Sequence, residues 1–282
     1  MATSIYFTDE DFFARPVEEM RELAETYASR VGLPFECMAS PLQITKEKMA
    51  LLSKAGMWRI DIGVESGSDD VKKRIFNRPA DNKTVMRAAT AVSQSPHVVP
   101  YYFFIIGNPY EQRQDLLDTI DLLMQIPTPY FLRCYNLVFI PGTRLFERAC
   151  LDGIIAGLGD CGYEMDFVSG LSYKGHTWKT TNLYLNSLIA LMAGKSTRLR
   201  LGFIPKLFIP ILVHPRLIDF CDRHVALAKI LVNLGNLGLR LRRTGLAMFT
   251  GILGDNKLAY GLRFLSRRAH RATAPSKLIS TE

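Results

Sequence analysis

The sequence predicts an α/β fold, with parallel βα units over residues 1–155 and a mostly helical basic region over residues 156–282. Three observations carry this. Short β-branched or aromatic runs alternate with helical periodicity along the first half, as parallel βα units require. Charge is divided unevenly. Residues 1–150 hold 17 Lys/Arg and 19 Asp/Glu, a net of −2, whereas residues 151–282 hold 18 and 8, a net of +10, which recovers the totals of 35 and 27. Finally, small, acidic and turn-forming residues gather directly after the apolar runs, at the strand ends where such sheets bind ligands.

Each element has a local reason. Residues 5–8 form a short β-branched and aromatic run closed by acidic residues. Over residues 16–30, Val17, Met20, Leu23, Ala24 and Tyr27 share one helical face, with Pro16 suited to a first-turn position. Gly32 and Pro34 stop that helix, and residues 35–39 read as a second strand. Thr45 offers an N-cap to a helix over 46–55, which Gly56 closes. Residues 58–64 are a third strand, followed by helices over 69–76 and 82–93. Residues 98–106 are continuously apolar, which predicts a strand buried on both faces. A helix over 111–125, a strand over 133–140 and a helix over 143–151 complete the alternation. Beyond residue 153 the pattern decays, apart from an apolar helix over 182–193 closed by Gly194. Residues 263–282 are basic, then Ser/Thr/Pro-containing, and are expected to fray.

Composition excludes several classes. The cysteines, Cys37, Cys134, Cys150, Cys161 and Cys221, are odd in number and widely spaced, which opposes a disulfide framework and favours a reducing compartment. No apolar run reaches the length of a spanning helix, and the acidic first residues do not read as a signal peptide. A cytoplasmic protein is the expectation. His97, His214 and His224 are isolated, so no metal site is expected from protein ligands. AGKST at residues 193–197 mimics a phosphate loop. Ile189 stands where its first glycine belongs, and an apolar helix precedes it in place of a strand.

The strand ends carry the chemistry. RIDIGVESGS places Glu65 and Ser66 between glycines at the end of the third strand. A carboxylate there accepts hydrogen bonds from ligand hydroxyls or an ammonium group, and small neighbours admit a ligand to the backbone. An ordinary turn with a solvated Glu65 is the equal alternative. FFIIGNPYE ends the fourth strand, and Gly107 leaves a flat space beside Ile105 and Ile106 suited to a planar apolar group. A βα turn with an acidic first helical turn explains the same residues. VFIPGTRLFERA makes a sharp turn at Pro141 and Gly142, with Thr143 as helix cap. FTDEDFF places Asp9, Glu10 and Asp11 after the first strand, as a grip for a cationic amine or as a solvated loop.

In this order, on consecutive strands, the motifs resemble the radical SAM superfamily, most closely its branch with an upstream cobalamin-binding domain. The resemblance covers residues 5–151 and implies a partial (βα) barrel holding a [4Fe–4S] cluster and S-adenosylmethionine, with cobalamin compatible with that branch. It implies that Asp9 and Asp11 meet the methionine amino group, Glu65 and Ser66 the ribose or the methionine carboxylate, and Arg78 in IFNRP that carboxylate. Ile106, Gly107, Asn108 and Pro109 fall on the turn supporting adenine, and Pro141 and Gly142 on a further family turn. One departure is large. The family's C-x3-C-x2-C trio, whose thiolates hold the cluster, is absent. Buried structural thiols are the expected state of the cysteines. The barrel therefore lacks its first βα unit, which implies a fragment of a longer protein, with a degenerate, non-catalytic relative as the alternative. The catalytic residues, the substrate and the reaction outcome stay open.

The basic region has two readings. One is a solvated face on a helical appendage. The other is a surface that touches an acidic partner or makes a peripheral contact with the inner face of a membrane, for which HVALAKILVNLGNLGLRLRR, residues 224–243, combines apolar residues with terminal arginines. Nucleic acid is not expected, because aromatic interleaving is sparse and no reader motif occurs. Tyr163, His176 and Trp178 are candidate substrate contacts by resemblance.

Overall fold

A computed structural model describes residues 3–161 and 182–224. Tyr163, His176, Trp178 and residues 225–243 and 263–282 lie outside the described residues.

The strands are β1 (Ile5–Tyr6), β2 (Phe35–Ala39), β3 (Met57–Glu65), β4 (Val99–Ile106), β5 (Tyr130–Asn136) and β6 (Gly194–Ser196). They form one sheet in chain order. The first five are parallel, and β6 adds antiparallel to β5. Parallel neighbours need crossovers. These are helices α1 (Val17–Arg30), α2 (Lys46–Ala55), α3 (Asp69–Arg74), α4 (Asn82–Ser93) and α5 (Arg113–Gln125). Capping chemistry fixes several starts. Thr45, Ser68 and Asp81 accept hydrogen bonds from backbone N–H groups in the first turns of α2, α3 and α4. Gly56 ends α2 at φ 117°, in the left-handed region open to glycine. α6 (Arg144–Leu151) and α7 (Leu183–Leu191) follow, then a hairpin of β7 (Arg200–Leu201) and β8 (Ile204–Pro205), and α8 (Ile209–Leu212) and α9 (Pro215–Arg223).

One sheet face is the core. Ile60, Ile62, Val64, Tyr102, Phe104, Leu132 and Tyr130 pack there against Met20, Leu52, Val92, Ile120 and Leu123 of the helices. Leu185 and Ile189 of α7 join the same cluster. Arg113 of α5 holds Asp219 and Asp222 of α9 at 2.7 and 3.1 Å.

Two expectations need correction. β4 is buried on alternate residues only. Val99, Tyr101, Phe103 and Ile105 are half-buried, because the crossover helices of the core pack against the opposite face. The fifth strand runs over Tyr130–Asn136, earlier than the expected 133–140. The Leu137 N–H still donates to the Ile106 carbonyl at the end of β4, but the side chains of Leu137 and Phe139 enter a second cluster with Ala149, Ile155 and Cys161, and the Phe139 N–H donates to the Cys161 carbonyl. The sequence also gave no warning of β6, because Gly-Lys-Ser has little strand propensity.

The open sheet face is polar and aromatic. Arg59 bonds Glu36 at 2.9 Å and Asp61 at 2.7 and 2.8 Å, and lies 4.1 Å from the centre of the Tyr101 ring. Tyr101 stacks on Phe131, and Phe103 on Tyr135. Ile105, at the carboxyl end of this face, is covered by the second cluster together with Phe76 and Tyr110.

Candidate functional site

Parallel strands align their carboxyl ends along one edge, so the segments after β1, β3, β4 and β5 share a rim. The centre of that rim is Glu65. A bulge shifts the β3–β4 register between Gly63 and Glu65, and Glu65 adopts φ 71°. A non-glycine residue in this region carries strain that its surroundings must hold. Its carboxylate folds back over Gly63, where an added Cβ would lie 2.8 Å from Glu65 Oε1. Arg78 is its ion partner at 3.3 Å. Burial holds the Glu65 carboxyl above the usual range, and Arg78 draws it back down. Arg78 itself is exposed.

Asp11 belongs to the same neighbourhood, since its carboxylate feels Arg78 and Lys48. It accepts the Phe13 and Ser40 N–H groups, both at 3.2 Å, and burial raises its pKa. Asp9 is paired with Arg15 at 2.7 Å. The fold thus groups Asp11, Arg78 and Glu65 electrostatically, while Asp9 has a cationic partner of its own.

The remaining predicted residues fall in two places. Ser66, Ile106 and Asn108 point into the interior. Ser66 Oγ donates to Glu111 Oε1 at 3.0 Å, and Asn108 Oδ1 accepts the Tyr110 N–H at 3.0 Å. The side chains of these three are therefore not exposed on the rim. Gly107 turns at φ 71° and, with Pro109, is half-buried at the end of β4. Gly142 is exposed at φ 82° beside half-buried Pro141, on the loop past β5, and Thr143 caps α6 by accepting the Phe146 N–H.

Sequence reasoning missed the network behind the rim. The Gly67 N–H donates to Thr119 Oγ1 at 2.8 Å, Ser68 Oγ to Asp115 Oδ1 at 2.6 Å, and Asn82 Nδ2 to the Gly67 carbonyl at 2.6 Å. Asn186 of α7 accepts the Gly107 N–H at 2.8 Å. Glu111 is 1% exposed, and its burial pushes the carboxyl up to about 8. Polar residues on α5 and α7 facing an apolar sheet were the available signal. A surface depression lined by Thr128, Pro129, Thr197, Arg198 and Leu199 lies at the amino end of β5, away from the rim.

The cysteines do not fit an iron–sulfur cluster. Cys37 and Cys134 are inside strands, Cys161 and Cys221 are buried, and Cys150 is half-buried. Burial raises the Cys37 thiol strongly and the Cys134 thiol to about 12, opposing the thiolate that iron requires. Among the described residues no three His, Cys, Asp or Glu side chains gather as a metal site. The rim does fit S-adenosylmethionine in chemical type: Glu65 is an acceptor for hydroxyl or ammonium groups, and exposed Arg78 is a donor for a carboxylate.

A sequence model described as the Radical SAM superfamily matches residues 2–123. Solved structures similar to it include coproporphyrinogen III oxidase (HemN) from Escherichia coli, described as a radical SAM enzyme, at 14% identity and TM-score 0.42 over 51% of this chain and 33% of that one. Another is the radical S-adenosylmethionine methyltransferase TsrM from Kitasatospora setae, described with cobalamin and a [4Fe-4S] cluster bound, at 15% identity and TM-score 0.45 over 53% and 31%. A third is the cobalamin-dependent S-adenosylmethionine radical enzyme OxsB, at 23% identity and TM-score 0.39 over 43% and 19%. The chain spans about a third of the length of the first two. No curated protein sequence matches it.

Proposed function

We propose that residues 1–155 are the nucleoside-facing part of a radical SAM enzyme, with Glu65 as the principal contact. The family-model match over residues 2–123 and the carboxylate folded onto the open sheet face support this. In this reading Glu65 accepts hydroxyl or ammonium hydrogens, and Arg78 and Asp11 meet the amino-acid end. Gly107 and Pro109 present backbone to the base, with Asn186 holding that turn from α7. Bound S-adenosylmethionine would supply a sulfonium whose carbon–sulfur bond, on accepting one electron from a reduced iron–sulfur cluster, would break to release methionine and a carbon radical. The polar and aromatic face of β3, β4 and β5 is the proposed surface for a small substrate of unknown identity. The cluster has no ligand set among these cysteines, so its ligands would be supplied by polypeptide other than this chain. Cobalamin use is proposed only by analogy with the branch.

Binding tests the reading. Titration calorimetry of the chain with S-adenosylmethionine is expected to show saturable binding. Glu65→Gln is expected to weaken it roughly tenfold or more, because a charged acceptor is worth about 1.5–3 kcal/mol. Acidification through the raised Glu65 pKa should weaken the wild type in the same direction. No binding, or equal binding by the variant, would overturn the assignment. A second reading is a non-catalytic binding protein using the same rim, and the unsuitable thiols favour it. Anaerobic reconstitution with iron and sulfide separates the two when polypeptide carrying a cysteine trio is added: a cluster-dependent cleavage of S-adenosylmethionine supports the enzyme, and its absence the binding protein.

A further inference from the structure

We propose that the surface formed by residues 195–216 docks on an anionic lipid bilayer, a role separate from the nucleoside rim. The β7–β8 hairpin and the turn after it bring apolar side chains together at the surface. The Lys206 N–H donates to the Leu199 carbonyl at 2.9 Å, placing Leu199 beside the Lys206-Leu207-Phe208 turn. Lys206 Nζ reaches back to the Met124 carbonyl at 3.3 Å and ties this turn to α5. α8 then buries Ile209 and presents Ile211 outward. Leu199 and Leu207 are 81% exposed, Ile211 62% and Phe208 50%. Clustered exposure of this kind marks an interaction site, whereas single exposed apolar residues are ordinary.

Charge selects the partner. Residues 195–218 contain Lys195, Arg198, Arg200, Lys206 and Arg216, and no Asp or Glu. Lys195, Arg198, Arg200 and Arg216 are exposed, and none has a carboxylate at ion-pair distance among the described residues. Cations flanking protruding aliphatic tips match a bilayer, where the tips enter the acyl boundary and the arginines stay among anionic head groups. A protein interface would place its charges at the rim of an apolar centre. Here Arg198 and Arg200 flank Leu199 directly. The same composition continues into the Leu- and Arg-rich sequence of residues 224–243. Among the described residues no helix is long and apolar enough to cross a membrane.

Vesicle co-sedimentation of the full chain tests this. The protein is expected to pellet with phosphatidylcholine/phosphatidylglycerol vesicles, to release with salt, and to ignore phosphatidylcholine alone. The triple variant Leu199→Ser/Leu207→Ser/Ile211→Ser and the double variant Arg198→Gln/Arg200→Gln should each lower partitioning about tenfold or more, with unchanged thermal melts since all five side chains are exposed. Undiminished binding by both variants would assign lipid contact to residues 225–282 and overturn the proposal. So would equal binding to neutral vesicles, or no binding. Sedimentation velocity without lipid supplies the last outcome: self-association of the wild type that the triple variant abolishes would make a second copy the occupant.

Discussion

Replacing Gly67 by alanine is expected to destabilise the chain by about 3 kcal/mol or more, at the upper end of what overpacking costs. The reason is the backbone of α5. A Cβ on Gly67 would overlap the Thr119 Cα and lie 2.6 Å from the Thr119 nitrogen and 2.7 Å from the Asp118 carbonyl oxygen. Those atoms belong to the middle of a helix whose Leu116, Ile120 and Leu123 are packed in the core, so they cannot retreat as a flexible side chain would. The close approach also makes the 2.8 Å bond from the Gly67 N–H to Thr119 Oγ1, which the substitution would stretch. A thermal melt should show the midpoint falling by roughly 10 °C. Thr119→Ser leaves the backbone in place and keeps the acceptor, so it should cost far less. If Gly67→Ala melts like wild type, the packing of the β3 loop on α5 is not as described.

The contrast between Gly67 and its neighbours shows what the sequence could and could not display. The strand, the bend and the cap at Ser68 were readable, because apolar runs, glycines and Ser/Asp pairs act locally. The same is true of α2 and α4, which occupy the expected residues. Glu65 was legible as a rim carboxylate, but not its turn onto Gly63, which depends on a bulge in the pairing with β4. Ser66 looked equivalent to Glu65, yet its hydroxyl faces Glu111, forty-five residues away. A residue's side at the end of a strand is decided by the partner loop, which local sequence does not encode. β5 shows the same limit. Leu137 and Phe139 look like strand residues, but Cys161 and Ala149 offer them a core of their own. Asn186 sits beside Ser187 in an otherwise mostly apolar helix, and the approach of α7 to the end of β4 gives its side-chain oxygen the Gly107 N–H.

Glu111→Gln is expected to remove most of the pH dependence of stability between the weakly acidic and weakly alkaline range. The wild-type carboxyl is 1% exposed, and Oε2 is buried without a hydrogen-bond partner among the described residues. Burial is the main cause of its rise from 4.5 to about 8, Asp115 adds to it, and the Ser66 hydroxyl opposes it. With the folded pKa above the unfolded one, the native chain keeps a proton that the unfolded chain has released. Stability is therefore fully present below about 4.5 and falls as pH rises, until the loss is complete near 8. At about 1.36 kcal/mol for each unit, the loss across this window is on the order of 5 kcal/mol. The amide of the variant resembles the protonated carboxyl: its oxygen still accepts from Ser66 Oγ, and it never ionises. Wild type and variant should thus have similar denaturation midpoints near pH 5, with the variant more stable near pH 8. The Ser66–Glu111 bond joins the β3 and β4 loops, so an ionised Glu111 would disturb the backbone beside Glu65. Parallel stability profiles for the two proteins from pH 5 to 8 would mean that Glu111 is hydrated or paired in solution, and would remove the coupling between its proton and the rim.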